Sequence, residues 1–306
     1  MWILIGVCTL LLQLSSIGEC KEDSAVQKAT LGQFPSIVAF VDKQTREIKF
    51  GGTLVSRFCI LSAAHCFDST SPSSVLAMGG DVRSTPPAAA SRQLIGLKTV
   101  TRHQKYNAKT LTCDYALVTL SEPVKETAFF KVAPLAKITP TTKANCKLAG
   151  WGVARKGRAA TGRVLRFSAL FIGDTNACRV RMATKFDNTK LCAKASRVLR
   201  SGALKKSGAL RTGGDACQGD SGGPLYCNGK LAGIVSSRQG CARAGFVGLY
   251  SDVAKQRAWI EEQIKQTRAL RSRRLKGIAS KMGTSLIRRL FTAAICVVHS
   301  VRSVLH

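Results

Sequence analysis

Apolar residues along this chain fall mostly in short runs bounded by turn formers, and helix-period amphipathic stretches are scarce. The runs Ser36–Val41, Ile60–Ala64, Ala116–Leu120, Lys147–Gly150 and Leu231–Ser236 are rich in β-branched and aliphatic residues, with Gly, Pro, Ser and Thr clusters between them. Many short strands punctuated in this way predict an all-β barrel or sandwich. Ser69–Ser74 and Ser84–Ser91 read as loops, Ser121–Pro140 as a connector between two halves, and Cys146–Gly152 as the start of the second half, which runs to about Val253. Ala254–Gln266 has helix formers throughout and places Trp259, Ile260 and Ile264 on one face, so a terminal helix is expected there.

With 306 residues, 45% of them apolar, the chain can bury a sizeable core as one large domain or two small ones. The net charge of +30 favours polyanions, acidic partners or membrane surfaces and says nothing direct about fold. The charge is uneven: 15 Lys/Arg against two acids lie between Ala154 and Thr212, and ten Lys/Arg with no acid follow Glu262. For each block a solvated basic surface is the plainer reading. No specific nucleic-acid partner is expected. Twelve cysteines without a Cys-x-x-Cys pair argue against zinc and for disulfides in an oxidising compartment. No metal or cofactor is expected.

The apolar stretch Trp2–Leu14, followed by the small residues Ser15-Ser16-Ile17-Gly18, reads as a secretory signal without a basic leader, cleaved near Gly18 or Cys20. The expected organisation is therefore a signal peptide over 1–20, a polar lead-in over 21–31, a folded domain over 32–266 and a basic tail over 267–306. Lys194–Thr212 reads as a basic surface insertion. In the tail, the nine-residue run Leu290–Val298 cannot cross a membrane. Leu286, Ile287, Leu290 and Ala294 beside Arg288 and Arg289 suit an interfacial helix, and a disordered extension suits them equally.

The run Gly219-Asp220-Ser221-Gly222-Gly223-Pro224 carries the clearest chemical signal. It suits neither a helix nor a central strand. It suits a tight turn that holds the Ser221 hydroxyl outward while the Gly219 and Ser221 amides converge to stabilise an oxyanion. A serine nucleophile needs a base, and the base needs an orienting group. Of His65, His103, His299 and His306, His65 stands apart, because in Leu61-Ser62-Ala63-Ala64-His65-Cys66 an apolar strand gives way to small residues and then an imidazole. Asp114 leads directly into the apolar run Tyr115-Ala116-Leu117-Val118, a costly place for an acid unless something pairs with it.

Ala63-Ala64-His65-Cys66, Asp114-Tyr115-Ala116-Leu117 and Gly219–Pro224, in this order and separated by 49 and 107 residues, resemble the trypsin/chymotrypsin family of serine proteases over about Gly32 to Gln266. The resemblance implies two six-stranded antiparallel β-barrels with the site at their interface and a C-terminal α-helix. It implies a secreted serine endopeptidase acting on protein or peptide substrates, with Ser221 as nucleophile, His65 as general base and acid, Asp114 orienting the imidazole, and the Gly219 and Ser221 amides as oxyanion hole. Asp215, six residues before Ser221, falls where trypsin-like members place the pocket acid; Gly248 leaves the pocket wall open, and Ser236 lines the cleft. Together these favour cleavage after Lys or Arg through a charge-assisted hydrogen bond. The family pairings Cys146–Cys227, Cys178–Cys192 and Cys217–Cys241 are implied as well.

Four features depart from the family. No Ile-Val-Gly-Gly stands near Asp23-Ser24-Ala25-Val26, so the amino group that would pair with Asp220 has no visible source. Phe50 occupies the place of the cysteine that would bridge to Cys66. The cleft segment reads Ser236-Ser237-Arg238, placing a side chain where the family has a glycine. The basic insertion and tail are additions. These departures favour an alternative function, that of a catalytically weak or silent homologue that binds a protein partner, and the basic segments add a third, polyanion or membrane binding.

Overall fold

The computed structural model describes residues 26–152, 164–182, 185–195, 219–238 and 247–274. A three-residue strand, β1 (Val26–Lys28), precedes the first barrel. That barrel contains β2 (Ile37–Asp42), β3 (Ile48–Ser56), β4 (Cys59–Ser62), β5 (Val75–Gly79), β6 (Gln93–Arg102) and β7 (Ala116–Leu120), closed in the order β2-β3-β4-β7-β6-β5. The second contains β8 (Asn145–Gly150), β9 (Arg166–Ile172), β10 (Lys190–Ala195), β11 (Pro224–Cys227), β12 (Lys230–Arg238) and β13 (Val247–Asp252), and closes through β8 and β9. All named pairings are antiparallel. Closure pairs the backbone groups that an open sheet would leave at its edges.

The double barrel expected from the resemblance is the observed fold. Strands such as β4 and β7 are buried along their whole length, which explains why they read as continuous apolar runs without alternation. One core cluster joins the halves, drawing Phe34, Leu61 and Leu117 from the first and Ala149, Tyr226 and Ile234 from the second. Ser36 Oγ and Tyr226 OH share a 2.8 Å hydrogen bond across the same junction.

Two segments differ from expectation. The polar stretch before Gly32 contains β1, which pairs with β9 in the register Val26 to Ser168. The terminal helix spans 257–274, starting later than Ala254 and continuing past Gln266. Ile260 and Ile264 anchor it in the core, and the Trp259 ring lies 4.9 Å from His103. His103 is a core histidine: its Nδ1 accepts from Lys105 N at 3.1 Å, its Nε2 meets Gln256 Oε1 at 3.1 Å, and burial lowers its pKa.

The disulfides Cys146–Cys227 and Cys178–Cys192 are formed, fastening β8 to β11 and the short helix Thr175–Met182 to β10. Cys217–Cys241, nearly all of the basic insertion, and the tail from 275 onward lie outside the described residues. Among the described residues, Cys59, Cys66 and Cys113 are free and buried.

Phe50 explains how the first barrel is built with Cys66 unbridged. Its buried ring stands 4.9 Å from Phe40 and 4.9 Å, edge-on, from Phe67, and Phe40 meets Phe67 at 5.6 Å. Three mutually tilted rings favour one another electrostatically and bury Phe50 in the core of the first barrel. Phe50→Ala is therefore expected to destabilise the fold by about 3–5 kcal/mol, and Phe50→Leu by clearly less, read from the midpoint of denaturant unfolding.

Candidate active site

His65 is placed by the end of β4. The strand delivers Ser62 into the 3-10 turn Ala64–Phe67, which turns the imidazole toward the barrel junction. Asp114 reaches it from the start of β7. Cys113 takes the left-handed region at φ 51°, and Tyr115 N–H donates back to Cys113 O at 2.8 Å, so the chain doubles tightly around Asp114. Its fully buried carboxylate accepts from His65 twice: Oδ1 from the backbone amide at 2.9 Å and Oδ2 from Nδ1 at 2.8 Å.

The second barrel completes the surroundings of Asp114. β12 slips register between Val235 and Ser237, and at this bulge Ser236 turns inward, its hydroxyl donating to Asp114 Oδ2 at 2.5 Å. Bulges commonly re-aim a side chain in this way. From β13, Ser251 Oγ donates to the Asp114 carbonyl at 2.9 Å. From β10, the buried Lys190 Nζ donates to Ser236 Oγ at 2.7 Å and to Ser251 Oγ at 3.1 Å.

The Gly219–Pro224 turn is held from both barrels. Gly51 N–H donates to Ser221 O at 2.7 Å, Gly222 N–H to Val235 O at 2.9 Å, and Gly223 N–H to Asp220 O at 2.9 Å. Gly219 at φ 100° and Gly222 at φ 74° use backbone conformations that suit glycine, and a Cβ on Gly222 would overlap Ser62 Oγ. The turn thus rests directly on the residues leading into His65, with Ser221 half-buried at its tip. Asp220 is buried and is not left unheld: its Oδ1 accepts from Gly152 N at 2.8 Å. Glycine is required at both Gly150 and Gly152, because a Cβ on either would overlap this carboxylate.

Electrostatics follow from this packing. Burial favours the neutral form of Asp114, but the His65 hydrogen bond and charge, the Lys190 charge and the Ser236 hydrogen bond outweigh it and lower the pKa. Burial works against the His65 imidazolium too, and the Asp114 hydrogen bond, followed by the contact with Cys66 and the Asp114 charge, overcomes it, so His65 is raised above an ordinary imidazole. The Cys66 sulfur lies 3.7 Å from His65 Nε2, and burial raises its own pKa, keeping it a neutral thiol.

Of the residues singled out in the sequence, His65 and Ser236 each hydrogen-bond Asp114, and Ser221 and Gly219 lie on the turn that packs against Ser62 and Ala63. Gly248 pairs with Arg238 across β13 and β12. Asp215 lies outside the described residues, and of Arg238 only the backbone is described. Lys190 and Ser251 were not evident in the sequence. Their signal is slight: a lysine two residues before a cysteine in an apolar strand, and a serine opposite it in register.

These residues form a candidate active site at the junction of two closed barrels. A model of the trypsin family, described as Trypsin, matches residues 25–260. Trypsin from Sarcophaga bullata is 34% identical over 221 residues, 71% of this chain and 79% of the relative. Trypsin I-P1 from Gallus gallus is 32% identical over 69% of this chain and 77% of its own. Among solved structures, mouse neuropsin, a serine protease expressed in the limbic system, superposes with a TM-score of 0.66 at 25% identity, covering 78% of this chain and 98% of its own. The chain belongs to the trypsin family of serine proteases.

The glycine requirement is directly testable. Gly150→Ala is expected to cost about 1–3 kcal/mol by displacing the Asp220 carboxylate. Gly96→Ala, whose new Cβ would meet only the Ser121 side chain, Oγ at 3.2 Å and Cβ at 3.8 Å, is expected to lose under about 1 kcal/mol in the same denaturant titration.

Proposed function

We propose that this chain is a secreted serine endopeptidase that cleaves peptide bonds after Lys or Arg through His65, Asp114 and Ser221. The observation that carries the proposal is the paired hydrogen bond from His65 N and Nδ1 to one buried carboxylate. With the Nδ1 proton committed to Asp114, the Nε2 lone pair is the one available to take a proton. Ser221 Oγ then attacks the scissile carbonyl as its proton passes to Nε2. The tetrahedral intermediate collapses, the carbon–nitrogen bond breaks, and Nε2 returns the proton to the departing amine. Water, deprotonated by the same imidazole, releases the acyl group and restores Ser221.

Gly222 and Gly223 amides are spent within the protein, whereas Gly219 and Ser221 amides have no hydrogen bond among the described residues, which suits an oxyanion hole. Preference for Lys or Arg rests on Asp215, on the absence of a side chain at Gly248, and on relatives named trypsins. Secretion rests on Trp2–Leu14 and on two disulfides. Exposed Arg268, Arg273 and Arg274 on the terminal helix support anionic-surface binding as an accessory property.

One observation favours a silent binding homologue instead: the Cys66 thiol occupies hydrogen-bonding distance of Nε2, the atom that has to accept the Ser221 proton. The two readings separate on secreted protein whose N-terminus has been sequenced. A fluorophosphonate is expected to label Ser221 stoichiometrically, and peptides with Arg or Lys before the scissile bond to be cleaved. Ser221→Ala is expected to abolish labelling and reduce cleavage by about 10⁴-fold or more. Folded, processed protein that takes up no label would support the binding homologue against the endopeptidase.

A further inference from the structure

The group behind the candidate active site is unusual for its place. Lys190 is 5% exposed, and its Nζ touches two serine hydroxyls that both serve Asp114. A buried ammonium costs several kcal/mol unless it is paired and hydrogen-bonded. Donor and acceptor arithmetic fixes the direction of every bond in this network. A carboxylate and a backbone carbonyl only accept, so the single proton of Ser236 is spent on Asp114 Oδ2 and that of Ser251 on Asp114 O. Both serine oxygens are then left as acceptors, and Lys190 supplies both protons. His65 and the two serine hydroxyls donate to Asp114, and Lys190 donates to the serine oxygens behind them.

We propose that Lys190 is a positioning residue of this site: a buried ammonium that orients Ser236 and Ser251 onto Asp114 and competes with His65 for the carboxylate's charge. The inference rests on the endopeptidase reading for its catalytic meaning, though not for its structural test. The charge makes His65 a weaker base than the same site without it, because the ammonium repels the imidazolium and claims part of the carboxylate's field. Asp114 is lowered in part by Lys190, and burial lowers Lys190 itself against the pull of Asp114, Asp187 and the Cys113 thiol. Other titratable neighbours are the Cys66 thiol beside His65, the Tyr106 phenol, which donates to Asp68 Oδ2 and feels the Asp114 charge, and the Tyr115 phenol, whose hydroxyl donates to Thr189 O and Asp252 O.

The sign of the effect follows. His65 acts as a base only when neutral, and Asp114 raises its pKa, moving the active range to higher pH. Lys190 offsets part of that rise. Removing its charge should therefore raise the His65 pKa further and move the acid limb of kcat/KM to higher pH by about one unit or more.

The test is the His65 imidazole titration, followed by NMR in the full secreted chain, in Lys190→Met and in Lys190→Gln, with the His65 signals identified by their loss in His65→Gln. Met fills the volume without charge or donors, and Gln keeps donors to the serines without charge. Both are expected to titrate His65 at higher pH than the parent, with kcat/KM profiles displaced alike. A change in unfolding temperature alone would not support the proposal, since any buried substitution can produce one. If folded Lys190→Met and Lys190→Gln both titrate as the parent does, the proposal is overturned. If only Lys190→Gln does, hydrogen bonding rather than charge is the agent and the proposal as stated is overturned. Should Lys190→Met fail to fold, Lys190→Gln alone decides. A titration that moves in a chain with no peptidase activity leaves this inference standing and removes the endopeptidase reading.

Discussion

The burial of Asp114 is the constraint around which the two barrels meet. An isolated carboxylate in a dry interior is costly enough that it would take up a proton rather than stay charged. Asp114 stays ionised because both barrels bring it partners. His65 comes from its own barrel; Ser236, Ser251 and Lys190 come from β12, β13 and β10 of the other. Any movement of one barrel against the other would strip hydrogen bonds from a buried charge. The polar centre and the apolar junction around Leu61, Leu117 and Ile234 therefore enforce one arrangement, the first through direction and the second through area.

Asp220 applies the same logic to the neighbouring turn. Its carboxylate is turned inward over Gly150 and Gly152 and is held by the Gly152 amide. The end of β8 thereby becomes a seat for the loop that carries Ser221. The absence of an Ile-Val-Gly-Gly sequence removes one expected partner for this acid, but the Gly152 seat is built from the second barrel itself. Ser221 is consequently positioned by two anchors of different origin: the Asp220 seat behind it, and Gly51 N–H, donated from β3 to its carbonyl.

Much of this was legible in the sequence because the informative residues carry their context locally. His65, Asp114 and the Gly219–Pro224 turn each lie beside small or apolar residues whose local pattern is unusual for a charged or nucleophilic group. The strands were legible because both barrels bury them, leaving β-branched runs between turn formers. Lys190 was not legible, since a lysine near a cysteine reads as a surface residue until the fold brings in Ser251 and Ser236, 61 and 46 residues away. The length of the terminal helix was misjudged for a related reason. The apolar face ends at Ile264, but beyond it Arg271 stacks on Phe58 at 4.0 Å, an interaction with no periodic signature.

Phe50 links the stability of the first barrel to the chemistry at its edge. A disulfide stabilises chiefly by restricting the unfolded chain, whereas packed rings stabilise the folded one. Exchanging the first device for the second retains a barrel but releases Cys66 as a thiol, 3.7 Å from His65 Nε2. Burial keeps that thiol protonated, so it is a weak donor and not a competing thiolate nucleophile. In the proposed endopeptidase reaction an approaching hydroxyl, being the stronger donor, would displace it from the Nε2 lone pair without having to break a strong bond. The departure at Phe50 therefore alters what surrounds the imidazole at rest, while the tautomer on which the proposed chemistry depends stays fixed from the other side, by Asp114.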